Sequence, residues 1–166
     1  MLAACVAPPA GHVLVADEAR FAVTLPDGWD SRATDPADWA DRRTVALISS
    51  QPLDPQCAAT TDAGSCTAPV DSLDEGALLM WWLTTTCAGR ACQPPDGERL
   101  LVGGRQAARI EGTHLCDALG ATHEEAYLVT VSPQRLDAIV VCERDVADAV
   151  RAQLPDILER VDWRTP

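Results

Sequence analysis

Cysteine is the residue type with the most chemistry to offer in this chain, at positions Cys5, Cys57, Cys66, Cys87, Cys92, Cys116 and Cys142. Cys5 stands apart, and the other six fall into neighbouring pairs. Cys57 and Cys66 bracket the polar stretch Ala58–Ser65. Cys87 and Cys92 bracket Ala-Gly-Arg-Ala, and Cys116 and Cys142 lie in or beside apolar segments. Six thiols allow roughly 15 connectivities, and spacing alone does not choose among them. Closure of the nearest loops favours Cys57 with Cys66, Cys87 with Cys92 and Cys116 with Cys142. In the loop-entropy picture each bridge contributes ~2–4 kcal/mol by restricting the unfolded chain, and such bridges persist in oxidising compartments. Zinc is the competing chemistry: Cys87-x4-Cys92 with His114-x-Cys116 offers ligands of the right type. That set lacks a tight Cys-x2-Cys and leaves Cys57, Cys66 and Cys142 without a role, so disulfides are the preferred reading. Cys-x-x-Cys, the motif of thiol exchange, does not occur.

The histidines are His12, His114 and His123. With Glu111, Asp117, Glu124 and Glu125 they could gather into a divalent-metal site at one end of a sheet; surface histidines are the plainer expectation. Arg105 and Arg109 share one face of a strand and could take an anion, with ion pairing as the plainer alternative. Nucleophilic hydrolases carry Gly-x-Ser-x-Gly, which Ala63-Gly64-Ser65-Cys66 does not match. His123-Glu124-Glu125-Ala126 is followed by Tyr127, so the second histidine of a zincin is missing. There is no lysine and therefore no phosphate-binding Gly-x-x-x-x-Gly-Lys loop. No catalytic residue, metal ligand or cofactor is assigned from these motifs.

Leu2-Ala3-Ala4-Cys5 resembles a bacterial lipobox, in which small residues precede a cysteine that is acylated and becomes the mature N-terminus. A lipoprotein signal also has a positive segment and an apolar segment before the lipobox, so an upstream in-frame start is expected. Residues 1–11, with Pro8 and Pro9, read as a lipobox remnant and linker, and residues 12–166 as a single domain.

The elements that must position these residues follow from periodicity. His12–Ala16 and Phe21–Leu25 are short apolar runs across a polar break and suggest a hairpin. Pro26-Asp27-Gly28 is turn chemistry. Asp35, Asp38 and Asp41 recur at helical spacing and would line a solvated helical turn. Residues 44–49 predict a strand, and residues 50–70 a long loop. Ser72-Leu-Asp-Glu75 matches a capping box. Leu73, Ala77, Met80, Trp81 and Thr84 then predict a helix over 73–86, on which Trp81 and Trp82 cannot both face inward. Residues 99–102 and 106–111 predict strands around Gly103-Gly104. Residues 125–131 and 136–142 predict a hairpin whose second arm is apolar enough for a central strand. Residues 144–160 predict a closing helix split or kinked by Pro155, with a short extended piece at 161–163. The fold class is α+β: a mainly antiparallel sheet flanked by helices.

Phe21-x-Val23-x-Leu25-Pro26-x-Gly28-Trp29 resembles the opening of Mog1/PsbP-like domains, including actinobacterial LpqN-type lipoproteins. Gly104-Arg105-Gln106-Ala107, Glu125-Ala-Tyr127 and the closing Ile157-Leu158 extend the likeness over about residues 15–163. The resemblance implies an α/β/α sandwich; the paired cysteines and the long 50–70 loop depart from the plant photosystem proteins of that family, and an envelope lipoprotein branch is the closer likeness. Trp29 in that fingerprint reads as a core residue whose indole N–H needs a partner.

Charge and length set the remaining limits. Among 166 residues, acidic side chains number 25 and basic ones 13, a formal charge of −12. A phosphate-neutralising nucleic-acid binder needs the opposite sign. The function these features imply is a non-enzymatic extracytoplasmic, cell-envelope domain, lipid-anchored at Cys5 or secreted. It would bind a protein, glycan or lipid through a sheet face or the 50–70 loop, and touch the membrane only through the lipid. A small secreted hydrolase or metal-dependent enzyme is the alternative. A cytosolic GTPase regulator, by analogy with the Mog1 side of the resemblance, is opposed by the paired cysteines.

Overall fold

The computed structural model describes residues 11–41, 43–53, 68–87, 91–93 and 96–164. Cys5, Cys57, Cys66 and most of the 50–70 loop lie outside the described residues. Two antiparallel sheets carry the architecture. The smaller one has the order β1-β2-β10, from β1 (His12–Ala16), β2 (Phe21–Leu25) and β10 (Val161–Trp163). The larger has seven strands in the order β3-β4-β5-β9-β8-β7-β6. These are β3 (Asp30–Ala33), β4 (Thr44–Ser49), β5 (Leu78–Thr86), β6 (Glu98–Val102), β7 (Arg105–Glu111), β8 (His123–Ser132) and β9 (Arg135–Glu143). Two short helices, α1 (Asp148–Arg151) and α2 (Leu154–Glu159), precede β10.

Alternation along the strands divides the apolar side chains between the two faces of the large sheet. One face carries Ile48, Met80, Trp82, Val129, Ile139 and Val141, which pack against Phe21, Val23 and Leu25 of β2 and against Leu154, Ile157 and Leu158 of α2. The opposite face carries Leu47, Leu79, Trp81, Leu83, Val140 and Cys142. It is covered by Trp39, Leu53, Val70, Leu73 and Leu119 from non-strand segments. A sheet buried on both faces explains why β5 and β9 read as continuous apolar runs rather than alternating ones.

The sheet-rich, antiparallel expectation holds, but helices on both flanks do not. Residues 73–86 are not a helix: β5 starts at Leu78 and is the third strand of the large sheet. With every residue from Ala77 to Leu83 apolar, helical spacing can be picked out of the run as easily as strand spacing, and burial on both faces decides for the strand. The capping box at Ser72 and Glu75 is instead a turn, closed by Ala77 N–H to the Asp74 carbonyl at 3.0 Å, with Gly76 at φ 84°. Trp81 and Trp82 are therefore both buried, on opposite faces. Trp81 donates to Thr44 Oγ1 at 2.8 Å.

Asp35, Asp38 and Asp41 form no helical face either. Asp35 caps the single turn Pro36–Asp38 by accepting from Ala37 N–H at 2.8 Å, and Asp41 accepts from the Arg43 and Thr44 amides. The strand β3 has no apolar alternation to announce it. The closing helix is split where Pro155 predicts: α2 begins at Leu154 with the proline in its first turn, a position that needs no N–H. Trp29 is buried, and its indole donates at 2.9 Å to Gln153 in the break between α1 and α2.

The β6–β7 turn shows how closely the sheets meet. Gly103 and Gly104 both have positive φ, 53° and 77°, the pair a tight type I′ hairpin requires. A Cβ on Gly103 would overlap the Val161 carbonyl oxygen and sit 2.8 Å from Trp163 Nε1, whereas one on Gly104 would meet nothing within 4 Å. We expect Gly104→Ala to lower unfolding free energy by ~1–2 kcal/mol, the cost of the left-handed conformation alone. Gly103→Ala should cost more, because β10 must also move. Urea denaturation of both variants checks the order, and equal losses would contradict the packing described.

Candidate functional site

A group of mutually paired charged side chains lies on β6, β7, β8 and β9, on the face that carries Tyr127. Strand alternation puts His123, Glu125 and Tyr127 on that face, and the register sets Arg109 opposite Tyr127, Glu111 opposite Glu125 and Glu143 opposite His123. Glu125 is buried and anchors the group. One oxygen accepts from the Tyr127 hydroxyl at 2.6 Å and the other from the Arg109 guanidinium at 2.6 Å. Arg109 also reaches Glu98 at 3.0 Å and Glu111 at 3.5 Å, so one cation serves carboxylates on three strands. Beside them another buried carboxylate, Glu143, is paired with Arg151 of α1 at 2.9 Å.

These contacts fix protonation states. Its hydrogen bond to Glu125, followed by their charge attraction, drives the Arg109 guanidinium further above its usual range against the opposing effect of burial. Burial first, and then the hydrogen bond to the Glu125 carboxylate, pushes the Tyr127 phenol well above its ordinary value. Tyr127 is thus a held proton donor to Glu125 rather than a nucleophile, and both Glu125 oxygens already carry strong donors. The group is built to hold fixed charge, and Arg109 is an ion-paired residue rather than a free anion receptor. Arg105 lies over the Trp163 ring, 5.5 Å from its centroid.

At the same end of the sheet the chain forms an open groove of about 390 Å³ lined by Glu111, His114, Asp117, Thr122, His123 and Glu124. The residues singled out in the sequence at one sheet end do come together here, with Glu125 beside them. His12 does not: it lies on β1 and hydrogen-bonds Ser31 at 2.9 Å. His114 Nδ1 is 3.3 Å from Asp117 Oδ2, and His123 Nε2 is buried, 3.8 Å from Glu125 Oε2. Among the described residues no set of three His, Cys, Asp or Glu side chains is disposed to hold a metal ion. Glu124 is occupied by the loop above it, accepting from the Thr113 hydroxyl, from Leu115 N–H at 3.3 Å and from Cys116 N–H at 2.7 Å.

That loop is tied down covalently. Cys116 is bonded to Cys142 across a Cα–Cα distance of 5.6 Å, and both are fully buried. Cys87 is bonded to Cys92, Cα–Cα 5.4 Å. The amides of Cys87 and Cys92 donate to the Gln134 and Pro133 carbonyls, which fastens the bridge to the β8–β9 turn. With Cys87, Cys92 and Cys116 consumed in disulfides, the thiolates of the alternative zinc set are not available. Cys57 and Cys66 lie outside the described residues. Among the described residues no helix is long and apolar enough to cross a membrane.

Arg109 and Glu125 stand out in the sequence singly; their union with Tyr127, and the pair Glu143–Arg151, emerge only in the fold. The alternation of His123, Glu125 and Tyr127 was visible; their partners on β7 and β9 required the register. No protein-family model matches this sequence, and no curated protein matches it.

Tyr127 is the only tyrosine in the chain, so tyrosinate absorbance reports on it alone. A free phenol is half-ionised near pH ~10; Tyr127 in the folded protein should show no tyrosinate signal there. The sign follows from linkage. A phenol whose folded pKa is raised contributes stability fully below its unfolded pKa and loses it as pH climbs toward the folded value. Tyr127→Phe should therefore cost ~1.5–3 kcal/mol at neutral pH and flatten the alkaline fall in stability. Ionisation of Tyr127 at its ordinary pH in the folded state would contradict the site.

Proposed function

We propose that this chain is a non-enzymatic extracytoplasmic domain of a cell envelope, held to a membrane by a lipid on Cys5, that binds a protein, glycan or lipid partner. The observation that carries the proposal is the pair of disulfides, Cys87–Cys92 and Cys116–Cys142. Disulfides of this kind are formed and kept in oxidising compartments and are rare in a reducing cytosol. The lipobox-like Leu2-Ala3-Ala4-Cys5 supplies the anchor, and the proline-containing linker before β1 supplies a tether.

The charged site is consistent with binding rather than turnover. Its carboxylates and cations are already mutually satisfied, which holds a surface in shape without leaving a poised acid–base pair. The Phe21–Trp29 fingerprint favours kinship with Mog1/PsbP-like, LpqN-type domains. The helix content is lower than a sandwich with helices on both faces implies, so that kinship rests on the strand–turn pattern.

The test is acylation in cells expressing the full-length precursor in its native frame and fed an alkyne-tagged fatty acid. The membrane-bound protein should carry the tag, and Cys5→Ala should abolish the tag and release the protein from the membrane fraction. The released domain should still resist alkylation at Cys87, Cys92, Cys116 and Cys142 when unfolded without reductant. An untagged wild-type protein would overturn the anchor, and alkylation of those four thiols would overturn the compartment.

A further inference from the structure

We propose that β6 is a docking edge for a partner polypeptide, which adds to the large sheet as an extended strand carrying an acidic side chain. This rests on the reading of the domain as a binding module and names a polypeptide among the partners that reading allows. Among the described residues β6 is the last strand of the large sheet and is paired on one side only, with β7. Their tight turn fixes which backbone groups that pairing uses. With Gly103-Gly104 as a two-residue loop, Val102 and Arg105 exchange both hydrogen bonds, and the pattern repeats at Leu100 and Glu98. The N–H and C=O groups of Arg99 and Leu101 therefore point away from β7. The next outward N–H, on Gly103, is satisfied by the Leu158 carbonyl at 2.9 Å. Among the described residues the outward row is thus closed at Gly103 and open at Arg99 and Leu101.

Natural edges are blunted by proline, charged side chains, bulges or covering segments. β6 has no proline, its register with β7 is unbroken, and the charge of Arg99 is the one such guard on its open stretch. Leu101 is 62% exposed, the most exposed large apolar side chain among the described residues. Arg99 is exposed beside it and has no carboxylate partner among the described residues, whereas Arg105 and Arg109 are engaged. Leu100 and Val102 turn inward to the core between the sheets, so Arg99 and Leu101 share the opposite face. A groove of about 420 Å³ lies against the β6–β7 hairpin, bordered by Arg99, Leu100, Leu101, Gln106 and Ala107.

Charge selects the occupant. An added strand forms main-chain hydrogen bonds with Arg99 and Leu101 and places its own side chains next to theirs. An acidic residue opposite Arg99 and an apolar one opposite Leu101 satisfy both. A second copy of β6 fits worse. Antiparallel self-pairing centred on Leu100 sets Arg99 opposite the other copy's Leu101 and brings the two Arg99 side chains together diagonally on one face, where like charges repel.

A fluorescent peptide of the repeat Thr-Glu-Thr-Val, which sets a glutamate and a valine two residues apart on one face, and its counterpart with lysine for glutamate, test the proposal by anisotropy against the full chain. The acidic peptide should bind at least about tenfold more tightly than the basic one, and it should slow amide hydrogen exchange at Arg99 and Leu101. Leu101→Pro removes an outward N–H without breaking the β7 ladder, so the edge tolerates it; it should weaken binding by about tenfold or more. Arg99→Glu, a surface change that leaves the backbone intact, should reverse the preference between the peptides. Three outcomes overturn the proposal: no binding of the acidic peptide, binding indifferent to Arg99→Glu, or exchange protection confined to another strand. Self-association of the chain that Leu101→Pro abolishes would replace the partner peptide with a second copy. These outcomes are independent of acylation at Cys5, so the edge can fail while the anchored-module reading stands, and the reverse.

Discussion

Trp82 is where the two sheets are locked together. Its ring is fully buried in the middle of β5 and stacks on Phe21 of β2, with centroids 3.8 Å apart and planes 14° apart. Trp163 of β10 meets both rings edge-on, at 6.0 and 5.6 Å. The indole N–H is not left to hydrocarbon: it donates at 3.0 Å to Asp137 of β9, a carboxylate with no exposure at all. Asp137 also accepts from the Thr84 hydroxyl at 2.8 Å and from the Arg135 guanidinium at 2.8 and 2.6 Å. A buried carboxylate is tolerable only when so fully paired, and removing a partner from such a group typically costs ~3–5 kcal/mol. One side chain thus joins an apolar contact between sheets to a polar clamp within one of them.

The rest of the fold hangs from that junction. Trp163 passes it on to β6 by donating to the Val102 carbonyl at 2.9 Å, which is why the neighbouring turn has room only for glycine at position 103. β9 passes it the other way. Its far end carries Cys142 and Glu143, the first bonded to the 112–120 loop and the second paired with α1. The charged group around Glu125 sits between these two ties, so its side chains are held by strand register rather than by loop conformation. That rigidity suits a recognition surface. The open stretch of β6 lies at the margin of the same sheet, just beyond where Trp163 and Leu158 close it off.

Much of this was legible in the residues. β1, β2, β4 and the β8–β9 hairpin follow from apolar runs separated by turn chemistry, and the break before α2 follows from Pro155. The need of Trp29 for a hydrogen-bond partner was also foreseeable, though Gln153 was not. β5 was not legible, because a strand buried on both faces loses the two-residue alternation that identifies it, and a chance Ser-x-x-Glu spelled a helix start. The seeds of the site were visible as His114, His123, Glu111, Asp117, Glu124 and Glu125 near one sheet end. What made them a charge cluster beside a groove was pairing information: Arg109 beside Tyr127, and Glu124 spent on the Cys116 loop. Those facts depend on contacts far apart in the chain, which local pattern does not encode.

Trp82 couples the sheet-to-sheet contact to the Asp137 clamp. A double-mutant cycle between Trp82→Phe and Asp137→Asn, read by urea denaturation, tests it directly. Both single variants should be destabilised, and the double variant should fall short of their sum by ~1–3 kcal/mol, the coupling of two groups in one hydrogen-bonded network. Additivity within ~0.5 kcal/mol would show that the two act independently and would contradict the account.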